Sequence, residues 1–223
     1  QLYAGQDIRR QPLNTEALNS TSFAGMQQVF QNSFTPASNA AIFIAGAIET
    51  EALKPLIARW IASIPAGPAS SRIPRPDDRP KAAIKETISF GKETASHAAI
   101  VFHDNYAGDE QARFELGVLT DVLRMILRES IREDKGGTYS IYAGYGTASY
   151  PDPRYRLQIV FSSSAEKIAE LTGAIYETIE TLKAQGIPED VIERVRETQL
   201  RDHETNLRNN SWWLNSLAHA WDR

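Results

Sequence analysis

The hydrophobic and polar positions of the chain divide its first part into three segments of recognisable periodicity. Residues 15–34 carry apolar side chains at helical spacing, which predicts one helix that ends before Pro36. Residues 40–48 form a nearly continuous apolar run of strand length, which is typical of a central strand. Thr50 can cap a following helix that runs to about Ser63. The apolar positions expected to face inward on that helix are Leu53, Leu56, Ile57, Trp60 and Ile61.

A proline-rich stretch then interrupts the periodic pattern. Residues 65–80 contain five prolines and charges of both signs, which predicts a solvent-exposed linker. We therefore expect a single domain over residues 1–223, with two halves, residues 1–64 and 81–223, joined by this linker. The chain starts mid-segment and ends inside or just after the last predicted helix, so we also expect it to be a fragment of a longer multi-domain protein.

The second half of the chain predicts strands in adjacent pairs, separated by helices. The predicted elements are strands at 82–90 and 95–103, a helix at 109–134, and strands at 138–149 and 154–163. Ser163 and Glu166 predict a capping box for the next helix, which Gly186 ends. Pro188 opens a last helix that runs toward Trp221. This order predicts an α+β fold, with a mostly antiparallel sheet and helices packed on one face.

Composition and charge narrow the possible partners. The chain is 42% hydrophobic and 23% charged, which is an ordinary globular composition. Its net charge of −4, without a basic stripe, disfavours a nucleic-acid partner. Its apolar runs are of strand length, so we expect no membrane insertion. The chain has no cysteine, which excludes a disulfide framework and a thiolate metal site and fits the periplasm and the cytoplasm equally.

Common catalytic and metal-binding motifs are missing from the sequence. A helical zinc site needs two histidines one turn apart beside a carboxylate, and no pair among the four histidines has that spacing. The serines at 162–164 are interpreted as a helix N-terminus, because no G-x-S-x-G elbow is present. Gly144 and Gly146 indicate a bend or close packing within a strand. We expect no catalytic residue and no metal ligand in this chain. The histidines are His97, His103, His203 and His219.

One junction between a predicted helix and a predicted strand brings two hydrogen-bond donors close together in sequence. The glycine pair at 136–137 stops the long helix, and a strand begins near Thr138. Arg132 then lies in the last helical turn and Tyr139 at the start of the strand, where a guanidinium and a phenol can converge on one oxygen atom. From spacing alone, the simpler interpretation is a solvated helix end and an ordinary strand tyrosine.

The stretch Leu127–Tyr145, with Tyr139 seven positions after Arg132, resembles the second-half signature of peptidase family M16, the pitrilysin and insulinase zinc metallopeptidases. The stretch of residues 34–46 resembles the usual entry strand of that family. Residues 201–217 are similar to the last domain of the PqqL-like bacterial zinc proteases. Because these stretches lie between residues 34 and 217 and are thus spread over most of the chain, the resemblance is stronger than the two-residue motif alone.

The resemblance implies the C-terminal domain of a zinc endopeptidase that hydrolyses peptides in a closed chamber formed by two halves. The inverted His-x-x-Glu-His motif of the family is absent here. The zinc ligands are therefore expected outside this chain, in the N-terminal half of the same polypeptide, and the fragment alone is expected to bind no zinc and to be inactive. Arg132 and Tyr139 would bind the peptide substrate near the scissile bond, where two donors stabilise a developing oxyanion.

Two further expectations follow from the same resemblance. The PqqL-like relatives imply a bacterial periplasmic or cell-envelope location, while the residues alone remain compatible with the cytoplasm. Some relatives of this fold have lost the metal motif and act as structural subunits. The alternative function is therefore a non-catalytic scaffold or interaction domain of an M16-like protein that has lost peptidase activity.

Overall fold

A computed structural model of the chain describes residues 11–34, 40–67, 79–89, 95–134 and 138–221. These residues form seven α-helices, a π-helical segment and three strands. In chain order the elements are α1 (Thr15–Asn19), α2 (Phe23–Phe34), α3 (Thr50–Trp60), β1 (Ala95–Asn105), α4 (Glu110–Leu127), the π segment (Arg128–Asp134), β2 (Thr138–Ala148), β3 (Arg154–Ser164), α5 (Ile168–Gln185), α6 (Glu189–Asn206) and α7 (Asn210–Trp221).

The three strands form an antiparallel sheet in the order β1-β3-β2. Strand β3 lies in the centre, where Ile159 pairs with Ile100 on one side and Ala143 on the other. The side chains of β3 alternate in burial, because Leu157, Ile159 and Phe161 are buried while Arg156 is exposed. The predicted α+β class with an antiparallel sheet is confirmed.

Helices α4 and α5 and the π segment cover the buried face of the sheet. Their apolar side chains share one core cluster with the strands, and helix α5 contributes Leu171 and Ile175, which lie four residues apart on one helical face. A second cluster joins α4 to α6 through Val122, Val191 and Val195. The first cluster contains Ile100, Leu123, Leu127, Ile131, Ala143, Leu157, Ile159, Phe161, Leu171 and Ile175.

The predicted helix over residues 15–34 is two helices, interrupted at residues 20–22. The hydroxyls of Ser20 and Thr21 both donate to the carbonyl of Ala17, which competes with the helical backbone bonds. The hydroxyl of Ser22 then accepts from the amide of Gly25 at 3.1 Å, in the manner of a cap for α2. The apolar spacing is right, but the run of three hydroxyl residues breaks the helix.

The predicted strands at 40–48 and 82–90 are wrong where the structure describes them. Residues 40–48 and 82–89 are irregular, and Ile42 and Ile44 are largely exposed. A strand needs a neighbour to receive its backbone hydrogen bonds, and the sheet of the described residues contains β1, β2 and β3 alone. An apolar run therefore does not make a strand without a partner.

Helix α3 has the predicted location, and three of the five positions expected to face inward, Leu53, Ile57 and Ile61, are half-buried. Thr50 is its first helical residue, and the cap position before it is occupied by Glu49 without a side-chain hydrogen bond. Leu56 and Trp60, which we expected to face inward, are 53% and 65% exposed. The guanidinium of Arg59 lies 4.9 Å from the centre of the Trp60 ring. Helical spacing identifies an apolar face, but tertiary packing decides whether that face is covered.

The capping box at Ser163 is also wrong, because β3 extends through Ser164 and α5 begins at Ile168. Pairing with β1 and β2 holds Ser163 in the sheet. By contrast, Gly186 ends α5 as predicted, with φ of +82° and its amide donating to the carbonyl of Leu182. Pro188 directly precedes α6, but the last helix is broken at residues 207–209 and resumes as α7.

The chain divides into two compact units. The first takes in the described residues up to Ile88 together with α7, and the second runs from the start of β1 to Asn209. Of the predicted linker, residues 65–67 and 79–80 are irregular, and residues 68–78 lie outside the described residues. The predicted halves joined by a linker stay a prediction.

Candidate functional site

Arg132 lies on a π-helical segment at the end of the long helix. Helix α4 ends at Leu127, and its continuation through Asp134 is π-helical. The predicted helix boundary near residue 134 is therefore right, although its last seven residues are wider than an α-helix. Segments of π-helix occur frequently at functional sites. Ile131, directly before Arg132, is 1% exposed and anchors the segment in the core.

Tyr139 lies at an irregularity of strand β2. Thr138 pairs with Ser163 and Ser140 pairs with Ser162, so the register of the two strands shifts at Tyr139. Such a β-bulge bends a strand and redirects a side chain, and bulges are over-represented next to active sites. The side chains of Arg132 and Tyr139, and residues 135–137 between their elements, lie outside the described residues. Their predicted convergence stays a prediction.

The serines beside the bulge link β2 to the central strand. The hydroxyls of Ser140 and Ser162 lie 2.9 Å apart and share a hydrogen bond across the two strands. Ser162 and Ser163 are both buried. Their location in β3 corrects the interpretation of residues 162–164 as a helix N-terminus. These hydroxyls stabilise the sheet next to Tyr139.

Arg124 links α4 to β2 through its guanidinium group. Nε and Nη2 both donate to the carbonyl of Ala143, at 3.2 and 3.0 Å, while Nη1 donates to Asp121 at 2.8 Å. The guanidinium also lies 5.2 Å from the centre of the Tyr142 ring. Gln199 on α6 donates to the second oxygen of the Asp121 carboxylate at 2.9 Å. We did not predict this network from the sequence. Its single sequence signal is the pair of opposite charges at Asp121 and Arg124, three residues apart on α4.

An ion pair joins α6 to the π segment. Arg194 donates to the carboxylate of Glu129 at 2.7 Å and to Asp190 at 3.2 Å. The hydrogen bond that Arg194 donates to the Glu129 carboxylate is the main cause that raises the pKa of Arg194 above its ordinary value. A raised arginine pKa adds stability that is lost only at strongly alkaline pH, so this guanidinium stays charged at neutral pH. Both side chains of the ion pair are about half exposed, so the pair adds little to the free energy of folding. Its main effect is to fix the position of α6 against the π segment.

Ser130, next to Glu129, has a buried hydroxyl that finds no hydrogen-bond partner among the described residues. A buried unpaired hydroxyl destabilises a folded protein. The Ser130 hydroxyl thus destabilises the π segment locally, in addition to the cost of its non-standard backbone. Its contacts with the rest of the unit, through Ile131 in the core and through the ion pair of Glu129 with Arg194 on α6, offset that cost.

Glycines shape the sheet beside this network, as the sequence predicts for Gly144. A Cβ atom at Gly144 would lie 2.7 Å from the Tyr142 ring, so the glycine leaves room for that ring. A Cβ atom at Gly117 on α4 would similarly lie 3.2 Å from the hydroxyl oxygen of Tyr145. The prediction of close packing at Gly144 is confirmed, whereas nothing lies within 4 Å of such an atom at Gly146.

The described residues contain no group of three or more His, Asp or Glu side chains that could hold a metal ion. His97 and His103 both lie on β1, six residues apart, and are separated by roughly 20 Å of extended strand. His203 lies on α6 and His219 on α7. None of the described helices has the length and apolarity that a membrane crossing requires.

Comparison with known proteins agrees with the family resemblance. Residues 23–199, more than half of the chain, match the family described as the peptidase M16 inactive domain. The chain belongs to the peptidase M16 family. The matched range contains the π segment, β2 and β3.

Individual M16 relatives are proteases by name. The chain is 29% identical over 187 residues to the uncharacterized zinc protease YmxG of Bacillus subtilis (strain 168), covering 82% of this chain and 43% of YmxG. The chain thus spans less than half the length of this curated relative.

Two solved protease structures share the fold. The periplasmic protease PqqL from Escherichia coli superposes with a TM-score of 0.65 at 19% identity, over 79% of this chain and 20% of PqqL. The ferredoxin protease FusC, a mutant in complex with Arabidopsis ferredoxin, has a TM-score of 0.62 at 17% identity, over 90% of this chain and 22% of FusC. At these identities the likeness supports the fold.

Proposed function

We propose that this chain is the substrate-binding, non-zinc-binding domain of a zinc-dependent endopeptidase that hydrolyses peptides in a chamber formed with an N-terminal half. The family match to an inactive M16 domain supports a non-catalytic role for this part of the protein. The zinc-protease name of YmxG supports the reaction class of the whole polypeptide. The periplasmic location of PqqL supports a bacterial periplasmic or envelope compartment.

The observation that carries the proposal is the backbone on which Arg132 and Tyr139 lie. One residue is on a π-helical segment and the other is at a β-bulge, and the two elements pack against each other. Both kinds of irregularity are common beside functional sites. An ordinary helix end followed by an ordinary strand would need neither.

The chemistry proposed for the pair is hydrogen-bond donation. A guanidinium and a phenol that converge on the scissile carbonyl stabilise the negative charge that develops on its oxygen. Zinc held outside this chain would polarise the same carbonyl and activate the attacking water. The residues of this chain would bind and orient the peptide, and they would exchange no proton with it.

The test uses the full-length protein with a peptide substrate. We expect Tyr139→Phe to lower kcat more than it raises KM, because the phenol donor matters most at the transition state. Arg132→Lys should not keep the activity of the unmodified protein. The lysine ammonium is a point charge and cannot replace the planar, two-pronged guanidinium donor. Both variants should retain the metal content of the unmodified protein, because the zinc ligands lie elsewhere.

Matched controls separate the site from general effects of substitution. Tyr176→Phe removes a phenol from the exposed face of α5, and Arg196→Lys changes an exposed guanidinium on α6. Both should leave kcat and KM unchanged. An unaltered kcat in Tyr139→Phe and Arg132→Lys would contradict the proposal and favour the alternative, a scaffold domain of an M16-like protein without peptidase activity.

A further inference from the structure

We propose that Arg124 is a positioning residue, which holds strand β2 against α4 and thereby sets the separation of Arg132 and Tyr139. This inference rests on the proposed function of that pair. It starts from a described contact: the guanidinium of Arg124, on the helix that leads to Arg132, donates twice to the carbonyl of Ala143, on the strand that begins beside Tyr139.

The contact lies at a comparable distance from both residues of the pair. Arg132 is eight residues further along a continuous helical segment, roughly 12 Å away. Tyr139 is four residues back along β2 from Ala143, about 13 Å away. Helix and strand are stiff over such lengths, so a side chain that links them at this point controls how far apart their ends lie.

Besides the Ala143 carbonyl, two neighbours fix the orientation of the guanidinium, the Asp121 carboxylate and the Tyr142 ring. The Asp121 carboxylate accepts from Nη1, and Gln199 on α6 donates to the other oxygen of that carboxylate. The Tyr142 ring lies beneath the guanidinium, in the space that Gly144 leaves open. The side chains of Arg124 and Asp121 are both about one-third exposed, so the ion pair is screened less than a fully exposed one.

Arginine is required for this contact by its geometry. A planar guanidinium can donate two hydrogen bonds to one carbonyl and a third to a carboxylate while stacking on an aromatic ring. A lysine ammonium at the same position keeps the charge and can pair with Asp121, but it cannot make all of these contacts together. Arg124→Lys is therefore the informative variant, and Arg124→Met removes the link completely.

The first measurement is hydrogen–deuterium exchange on the full-length protein. We expect Arg124→Lys and Arg124→Met to speed exchange of the amides of β2, while β1, which pairs with β3 and does not contact Arg124, keeps its protection. The control variant is Arg201→Gln, whose side chain pairs with Glu197 on the exposed surface of α6. Unchanged exchange in β2, or equal acceleration in β1 and β2, would overturn the proposal.

The second measurement is a double-mutant cycle on peptide hydrolysis. Arg124→Lys should lower kcat by about 10- to 100-fold, as expected for a residue that orients a reacting group, with a smaller change in KM. In the Tyr139→Phe background the same substitution should have a much smaller effect, because the donor that Arg124 positions is already gone. Equal losses in the two backgrounds would overturn the proposal.

The two measurements also distinguish this inference from the proposed function. If Tyr139→Phe leaves kcat unchanged, the substrate-binding role of the pair is wrong. The exchange measurement then still decides whether Arg124 holds β2. If β2 loses protection selectively and the cycle is non-additive, both the inference and the proposed function are supported.

Discussion

The two units of the chain differ in how far their apolar side chains are buried. Every buried side chain in the described part of the structure belongs to the second unit, from Ile100 to Val195. The described residues of the first unit contain none, and large side chains such as Phe23, Trp60 and Trp221 are more than half exposed. Similar apolar content therefore gives a core in one unit and an open surface in the other.

The two units also differ in how their apolar contacts are arranged, as isolated pairs in the first unit and as one continuous core in the second. In the first unit the aromatic residues meet in isolated contacts, such as the edge-to-face pair of Phe43 and Trp221 at 6.4 Å. In the second unit helices and strands converge on one continuous cluster. Because stabilisation grows with the apolar area removed from water, the second unit is expected to hold most of the folding free energy of the chain.

The largest expected difference is in hydrogen exchange of the unmodified 223-residue chain. Amides of β3 should exchange only through global unfolding, while those of α3 open locally, so β3 should exchange at least about a hundredfold more slowly. Peptide-resolved exchange measured by mass spectrometry tests this. Comparable protection in α3 and β3 would show that the first unit has a stability of its own.

Truncation of aromatic residues should affect the two units unequally. Phe161→Ala empties the centre of the core, where the side chain is 1% exposed, and should lower the free energy of unfolding by about 3–5 kcal/mol. Phe23→Ala, at a position 78% exposed, should change it by less than about 0.5 kcal/mol. Chemical denaturation of the two variants measures both values, and equal losses would contradict the comparison.

Replacement by alanine should change the stability of the protein in opposite directions at two glycines of the second unit. Gly186 has φ of +82° and ψ of 178°, a conformation nearly restricted to glycine, so Gly186→Ala should destabilise by about 1–3 kcal/mol. Gly173 lies inside α5 with open space around its Cα, and Gly173→Ala should stabilise by up to about 1 kcal/mol. Thermal unfolding checks the signs. A loss of stability in Gly173→Ala would indicate that α5 packs more tightly than the structure shows.

The smallest expected effect concerns the π segment. Because the hydroxyl of Ser130 is buried without a partner among the described residues, Ser130→Ala should be neutral or stabilise by up to about 1 kcal/mol. Thr120→Val serves as the contrast, since the Thr120 hydroxyl donates to the carbonyl of Leu116 at 2.7 Å. A clear loss of stability in Ser130→Ala, measured by denaturation, would indicate a hydrogen bond to this hydroxyl.

Much of the second unit could be predicted from its sequence. The alternation in β3, the helical spacing in α5 and the glycine at residue 186 each report a local preference that the fold also satisfies. The position of Arg132 at a helix end and of Tyr139 at a strand start was also predictable, because the glycine pair at 136–137 ends the helical pattern and strand-forming residues follow it. The π-helical widening and the bulge were not, since both arise where helix and strand must fit the same core.

By itself, the sequence determined the class of the fold and the order of most elements, because periodicity and turn residues act over a few neighbouring positions. The family was indicated by resemblance and is shown by the match over residues 23–199. Tertiary structure decided which apolar runs became strands and which apolar faces were covered. Residues 40–48 have strand character but lie in no sheet among the described residues, and Leu56 lies on an apolar helix face that remains exposed. The tertiary structure also brought Arg124 to Ala143 and Gln199 to Asp121, across 19 and 78 residues of chain. No local sequence preference indicates such contacts.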